Sequence, residues 1–287
     1  MKLPLLTFAI CAYNEKKTIG DCIEHILKLD YPNKEIIVGS DGTDKTTEIA
    51  RKYPVKVITA SKRIGKTKML LKILEQAKGE IVLINDAESF FFPKNGLYDL
   101  VKIFEDHEIG AVSFGSVGPV EQEYSRSWWC FVEIVMLNLF RYYRIKKNPI
   151  TSLKDANFLI IANAFRRKLI TGLQTINDDA EIAYHVISKG YKVLYTPKIS
   201  FYGVGTATTL SDHIKQRSRT SVGWMQIGKL YKIKLGKFYF QMFLLWFKLI
   251  ISLILWVVVF SYGFLKGKIM YLFGKRSPEK IWGKIKR

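Results

Sequence analysis

The stretch Glu35-Ile-Ile-Val-Gly-Ser-Asp41-Gly-Thr-Asp-Lys-Thr46 decides the fold. An apolar run of strand type, Glu35 to Gly39, stops at a polar loop carrying Asp41, and a helix-forming segment follows. The same order recurs in EIVLINDAES, where Glu80 to Ile84 leads to Asp86 and Glu88, and a third acidic cluster, Asp178, Asp179 and Glu181, lies in TINDDAEIAYHV. Carboxylates at the C-terminal ends of parallel strands converge on one crevice, the place where open α/β sheets bind ligands. An acidic crevice in a basic protein points to a metal ion that recruits a phosphorylated substrate.

Working outward from that stretch, Leu5 to Ala12 reads as a buried strand. Lys17 to Leu29 reads as a helix with apolar Ile19, Cys22, Ile23, Ile26 and Leu27. Thr46 to Tyr53 is helical, Val55 to Thr59 a strand, and Lys66 to Lys78 a helix stopped by Gly79. With Glu80 to Ile84 as the fourth strand, the βαβαβαβ order predicts a mostly parallel, Rossmann-like sheet flanked by helices. Beyond Asp86 the pattern is irregular, with a helix near Leu97 to Asp106 and a strand near Gly110 to Phe114.

The formal charge of +20 is unevenly placed: the 59 residues from Lys229 onward carry 13 basic residues and one acid, Glu279. That segment also holds the most apolar run, Phe238 to Leu265, with Lys248 as its one charge. A helix from Leu244 to Leu265 would measure roughly 33 Å at 1.5 Å per residue, enough for a bilayer core of about 30 Å. A basic tail beside such a run implies membrane lipids as partners and no nucleic acid. A second helix, Ser125 to Lys147, gathers Arg126, Arg141 and Arg144 on one arc and Trp128, Trp129 and Phe140 on the other. It reads as a core helix or as one lying in a membrane interface. The three cysteines form no CxxC pair, which fits a reducing compartment, and no signal peptide is expected.

Two patterns compete for the phosphate site. Ala60 to Thr67 fits a loose P-loop between strand and helix, which would make the chain an NTPase. It has a single glycine, however, and leaves Asp41, Asp178 and Asp179 without roles. The other pattern is the ordered series AYNE, SDGTDKT, RIGK, NDAES, NDDAE and QRSR, from Ala12 to Arg219. This series resembles the family-2 glycosyltransferases, inverting and membrane-associated enzymes of the GT-A fold, over about Leu5 to Trp224.

The resemblance implies that Ala12, Tyr13, Asn14 and Glu15 hold the base and ribose of a nucleotide diphosphate sugar, and that Asp41 contacts the base. It places Arg63 and Lys66 beside the diphosphate, and Asp86 with Glu88 on a divalent cation, Mn²⁺ or Mg²⁺. Asp179 would be the catalytic base, with Asp178 beside it raising its pKa. Gln216 and Arg219 would cover the diphosphate and acceptor channel, and His213 is an outside candidate for the metal. Thr220 stands where processive members carry Trp, with Trp224 one turn on, which argues against processive synthesis. The expectation is therefore a catalytic domain at residues 1–228 and an anchor with a basic tail at 229–287. The enzyme would act at the cytoplasmic membrane face on a lipid-linked or growing glycan acceptor. A catalytically inactive scaffold of the same fold is the remaining alternative.

Overall fold

The structure is a computed structural model that describes residues 3–116, 145, 148–153, 161–203 and 209–233, with separate helical positions between 244 and 265. Residues 1–233 form one unit and 234–287 a second. The first unit begins with the strand β1 (Leu6–Ala12), helix α1 (Ile19–Leu27), β2 (Lys34–Ser40), α2 (Thr46–Ala50), β3 (Lys56–Thr59), α3 (Lys66–Gln76) and β4 (Ile81–Asp86). It continues through β5 (Ser89–Phe92), α4 (Gly96–Ile103), β6 (Ile109–Ser116), β7 (Ala164–Arg166), α5 (Asp178–Ser188), β8 (Lys192–Gly203) and α6 (Leu210–Leu230).

The strands form one sheet in the order β3-β2-β1-β4-β7-β6-β8-β5. Its first half is parallel: β1 pairs with β2 and β4, and β2 with β3. This brings the ends of β1, β2 and β4, with Ala12, Ser40 and Asp86, to one edge. The second half is mixed, with β7 antiparallel to β4 and β6, and β6 parallel to β8.

Side chains alternate across the sheet with the strand period of two. Leu6, Phe8 and Ile10 of β1, with Ile81 and Leu83 of β4, pack against α1 and α4 on one face. Ala9, Val82 and Ile84 face α3, α5 and α6 on the other. Helices α1 and α3 are amphipathic for the same reason, burying Ile19, Cys22, Ile23 and Ile26, and Met69, Leu70, Ile73 and Leu74 respectively.

Two elements differ from the sequence reading. The Phe90-Phe91-Phe92 run is not irregular: it forms β5 and pairs antiparallel with β8. The connection Ala87–Glu88 is therefore a tight turn between two strands. Strand β8 carries Pro197, and the β6–β8 register jumps from Phe114/Thr196 to Gly115/Ser200 at that point. Proline has no N–H for the ladder, so the strand passes it through a bulge.

The predicted interfacial helix at 125–147 lies outside the described residues, Ile145 excepted. Of the predicted anchor, Leu244, Phe247, Ile250, Ile251, Ile254, Leu255, Val258, Val259, Tyr262 and Leu265 are described as exposed. Among the described residues no helix is long and apolar enough to cross a membrane.

Candidate active site

The loop after β1 is built around Asn14, whose backbone sits at φ 59°. Asparagine tolerates this left-handed region better than most side chains. In this position Asn14 Oδ1 accepts the Thr43 N–H at 2.9 Å, tying the β1 loop to the β2 loop. A second tie joins the Glu15 N–H to Thr46 Oγ1 at 2.8 Å. Asn14 is thus held in the scaffold of the loop, while its neighbours Ala12, Tyr13 and Glu15 line a cavity.

That cavity measures about 640 Å³, within the usual range for a small-molecule site. Its wall includes Asp41, Arg63, Lys66, Thr175, Ile176 and Arg219. The guanidinium of Arg63 lies 3.9 Å above the Tyr13 ring, a cation–π stack at the rim. Asp41 Oδ2 accepts two backbone N–H groups, from Ile64 at 2.8 Å and Gly65 at 3.0 Å. Gly65 enters α3 at φ +87°, a conformation that favours glycine. These contacts weigh against the P-loop alternative. Such a loop must aim free backbone N–H groups at phosphate, whereas Ile64 and Gly65 spend theirs on Asp41.

Lys66 connects the cavity to the acids. Its Nζ lies 2.8 Å from Asp86 Oδ1 and 3.7 Å from Asp178 Oδ2. Burial works against the ammonium, but Asp178, Asp86 and Asp179 outweigh it and hold its pKa well above the lysine range. Lys66 in turn draws Asp86 below the usual carboxylate value, against the effect of burial. Glu88 moves the other way, pushed up by burial and by the charges of Glu15 and Asp86. Asp86 closes β4 and Glu88 lies in the turn that follows, a pair of hard-oxygen ligands of the kind a divalent cation accepts. Among the described residues no group of three or more His, Cys, Asp or Glu is placed to hold a metal alone. Two carboxylates suffice for a cation that receives its other oxygens from a substrate diphosphate and water.

Asp178 and Asp179 open α5. Asp179 has its pKa pushed up to about 6, by burial first and then by the Asp178 charge, with Lys66 pulling the other way. Its Oδ1 accepts the Ala180 N–H at 2.7 Å. A carboxyl with a pKa near neutrality is suited to accept a proton from a hydroxyl.

Glu181, visible in the sequence only as a member of the acidic cluster, proves to be the support of this region. It is fully buried, and its carboxylate accepts the Gln174 N–H at 2.8 and 3.0 Å and the Thr175 N–H at 2.6 Å. The loop so fixed reaches two helices. Thr67 Oγ1 donates to the Thr175 carbonyl at 2.8 Å, and the Ile176 N–H donates to Gln226 Oε1 of α6 at 2.9 Å. The spacing of Glu181 from Asp178, one helical turn, was the available signal.

The predicted residues do not all meet. Arg219 lines the cavity, but Gln216 is not among its lining residues, and Thr220 Oγ1 bonds back to the Gln216 carbonyl. The side chain of His213 lies outside the described residues. Trp224 is buried against Tyr184, with ring centroids 6.1 Å apart, so it belongs to the core.

Comparison with known proteins defines the class. The description of glycosyl transferase family 2 matches residues 7–169, and the chain belongs to that family. Its fold is the GT-A-like α/β fold. The poly-β-1,6-N-acetyl-D-glucosamine synthase of Staphylococcus aureus strain COL is 24% identical over 282 residues. The match covers 88% of this chain and 63% of that protein, so the chain spans less than two thirds of its relative. Among solved structures, the mannosyltransferase PcManGT of Pyrobaculum calidifontis, in complex with GDP-Man and Mn²⁺, superposes with a TM-score of 0.60 at 21% identity. That match covers 80% of this chain and 65% of the other. TarS residues 1–349 of S. aureus, in complex with UDP-GlcNAc, gives 0.53 at 18% identity, over 71% and 60% of the two chains.

Proposed function

We propose that this glycosyltransferase moves a sugar with inversion from a UDP- or GDP-sugar to a hydroxyl or phosphate acceptor. The observation that carries the reading is Lys66, which lines a cavity of nucleotide size and pairs with Asp86 and Asp178, two carboxylates outside that lining. Ala12, Tyr13, Glu15 and Asp41 would receive the nucleoside, with Arg63 and Arg219 near the diphosphate. The nucleotide sugars in the two structural neighbours support this donor class.

Asp179 is the general base of the proposed reaction. It takes the proton of the acceptor hydroxyl as the oxygen attacks the anomeric carbon from the face opposite the leaving group, which gives inversion. Asp178 supports it by raising its proton affinity. Asp86 and Glu88 would hold a divalent cation, Mn²⁺ or Mg²⁺. When bound, such a cation stabilises the charge of the departing diphosphate.

Residues 1–228 form the catalytic domain in this reading, and 229–287 an anchor that keeps the site at the cytoplasmic membrane face. The exposed apolar positions Ile254, Leu255, Val258 and Val259 and the basic tail support a lipid environment. The acceptor is then lipid-linked or a growing glycan, and the name of the S. aureus synthase favours the glycan. Trp224 is buried in the core and does not stand in for the tryptophan that Thr220 replaces, which speaks against processive synthesis. The test is release of UDP or GDP from a panel of nucleotide sugars, with and without Mn²⁺. No release from any donor, with the fold intact, would leave an inactive scaffold as the better reading.

A further inference from the structure

The position of Lys66 has a consequence for how a cation can enter. Asp178 is nearly inaccessible, its side chain 5% exposed, and its Oδ2 makes no hydrogen bond among the described residues. That oxygen lies 3.7 Å from the Lys66 ammonium, which is itself hydrogen-bonded to Asp86 Oδ1 at 2.8 Å. The negative charges of Asp86, Asp178 and Asp179 all act on this one group. Carboxylates gathered this closely repel one another unless a cation lies among them, and Lys66 provides it. Protein atoms crowd the ammonium, yet the Lys66 side chain is 37% exposed and that of Asp86 56%, so the pair is not sealed inside the protein and Lys66 has a side from which to swing away. A lysine stem has four flexible carbons, which makes that movement easy.

A divalent cation on Asp86 would share its carboxylate with the ammonium, and the two positive charges would repel across a few ångströms. We propose that Lys66 and the divalent cation are alternative occupants of the Asp86 carboxylate. The cation and the donor diphosphate enter together, displacing Lys66 from the acids and turning it toward the phosphate oxygens. This rests on the reading of Asp86 and Glu88 as the metal pair. It gives Lys66 a further task, holding metal affinity low until the donor arrives.

The test is Mn²⁺ binding to the full chain in detergent, followed by the paramagnetic resonance of free Mn²⁺, for wild type, Lys66→Met and Lys66→Arg. Loss of the competing charge should tighten Mn²⁺ binding without nucleotide by about tenfold in Lys66→Met. Lys66→Arg should stay near wild type. With UDP or GDP present the order should reverse, because Lys66→Met also lacks the charge that meets the diphosphate. A merely structural lysine gives no such opposite signs. Equal or weaker Mn²⁺ binding by Lys66→Met would overturn the proposal. Absence of Mn²⁺ binding in every variant would overturn it together with the metal assignment, while nucleotide release by the wild type judges the transferase reading separately. If Lys66→Met does not fold, amine acylation of Lys66 in the wild type decides. Mn²⁺ with nucleoside diphosphate should change the labelling of Lys66 by mass spectrometry relative to nucleotide alone, and unchanged labelling would count against displacement.

Discussion

The buried carboxylate of Glu181 accepts the Thr175 N–H at 2.6 Å, and through it the loop at 174–176 is fastened to the first turn of α5. Without a side-chain acceptor there, two backbone N–H groups would be left inside the protein, a costly arrangement. The loop lines the cavity and leads directly into Asp178 and Asp179. Glu181 therefore positions residues on both sides of the proposed reaction without touching either substrate.

Glu181→Gln keeps the volume but replaces one acceptor oxygen by a donor that faces N–H groups. It should lower stability by about 1–3 kcal/mol. Misplacement of the loop should reduce turnover by roughly tenfold or more. Denaturant unfolding and donor-release kinetics measure the two effects, and wild-type turnover in a destabilised variant would limit Glu181 to the fold.

Asp41 makes a second prediction. Its Oδ2 organises the Ile64–Gly65 turn, so Asp41→Ala should loosen the cavity wall as well as remove the proposed contact with the base. Nucleotide affinity should fall, and the thermal shift given by UDP or GDP with Mn²⁺ should shrink relative to wild type. ATP with Mg²⁺ should produce no shift in either protein. A large ATP shift in the wild type would restore the NTPase alternative.

The first half of the fold was legible because its elements are local and periodic. Alternation in β1 and β4 and the apolar stripes of α1 and α3 state which faces are buried. The acids at strand ends were legible for the same reason, since topology alone brings Ala12, Asp41 and Asp86 to one edge. Long-range roles were not. Nothing local tells that Glu181 holds residues 174 and 175, or that Lys66 reaches Asp86 and Asp178 rather than solvent. β8 escaped reading because Pro197 interrupts it, and β5 because its partner lies more than 100 residues away.

The proposed anchor gives a prediction that separates two forces. Burial of the apolar run from Leu244 to Leu265 in hydrocarbon is independent of salt, whereas each Lys or Arg near an anionic surface adds only about 1 kcal/mol and is screened. The 287-residue chain should remain with membranes through concentrated salt and alkaline carbonate. Its recovery in the soluble fraction without detergent would remove the anchor and, with it, the preference for a lipid-linked acceptor.

The raised pKa of Asp179 links activity to stability, and the sign of each effect is fixed. As a general base it works ionised, so turnover should fall as pH drops through about 6. Asp179→Asn should lower turnover by roughly 10² to 10⁴ and remove that limb, with donor binding nearly unchanged. Stability follows the opposite course. The folded protein holds the Asp179 proton up to about pH 6, while the unfolded chain releases it near the ordinary aspartate value of 3.8. Between those two values the unfolded state binds fewer protons, so this residue makes the protein less stable as pH rises from about 4 to 6. Above pH 6 the penalty is complete and constant. Asp179→Asn, which cannot ionise, should therefore melt higher than wild type at pH 7.5, and the difference should close near pH 4. Lys66 opposes the penalty, so removing it should widen the gap at pH 7.5. If Asp179→Asn melts at or below wild type at pH 7.5 and turnover shows no acid limb, the carboxyl is not raised and another group must accept the proton.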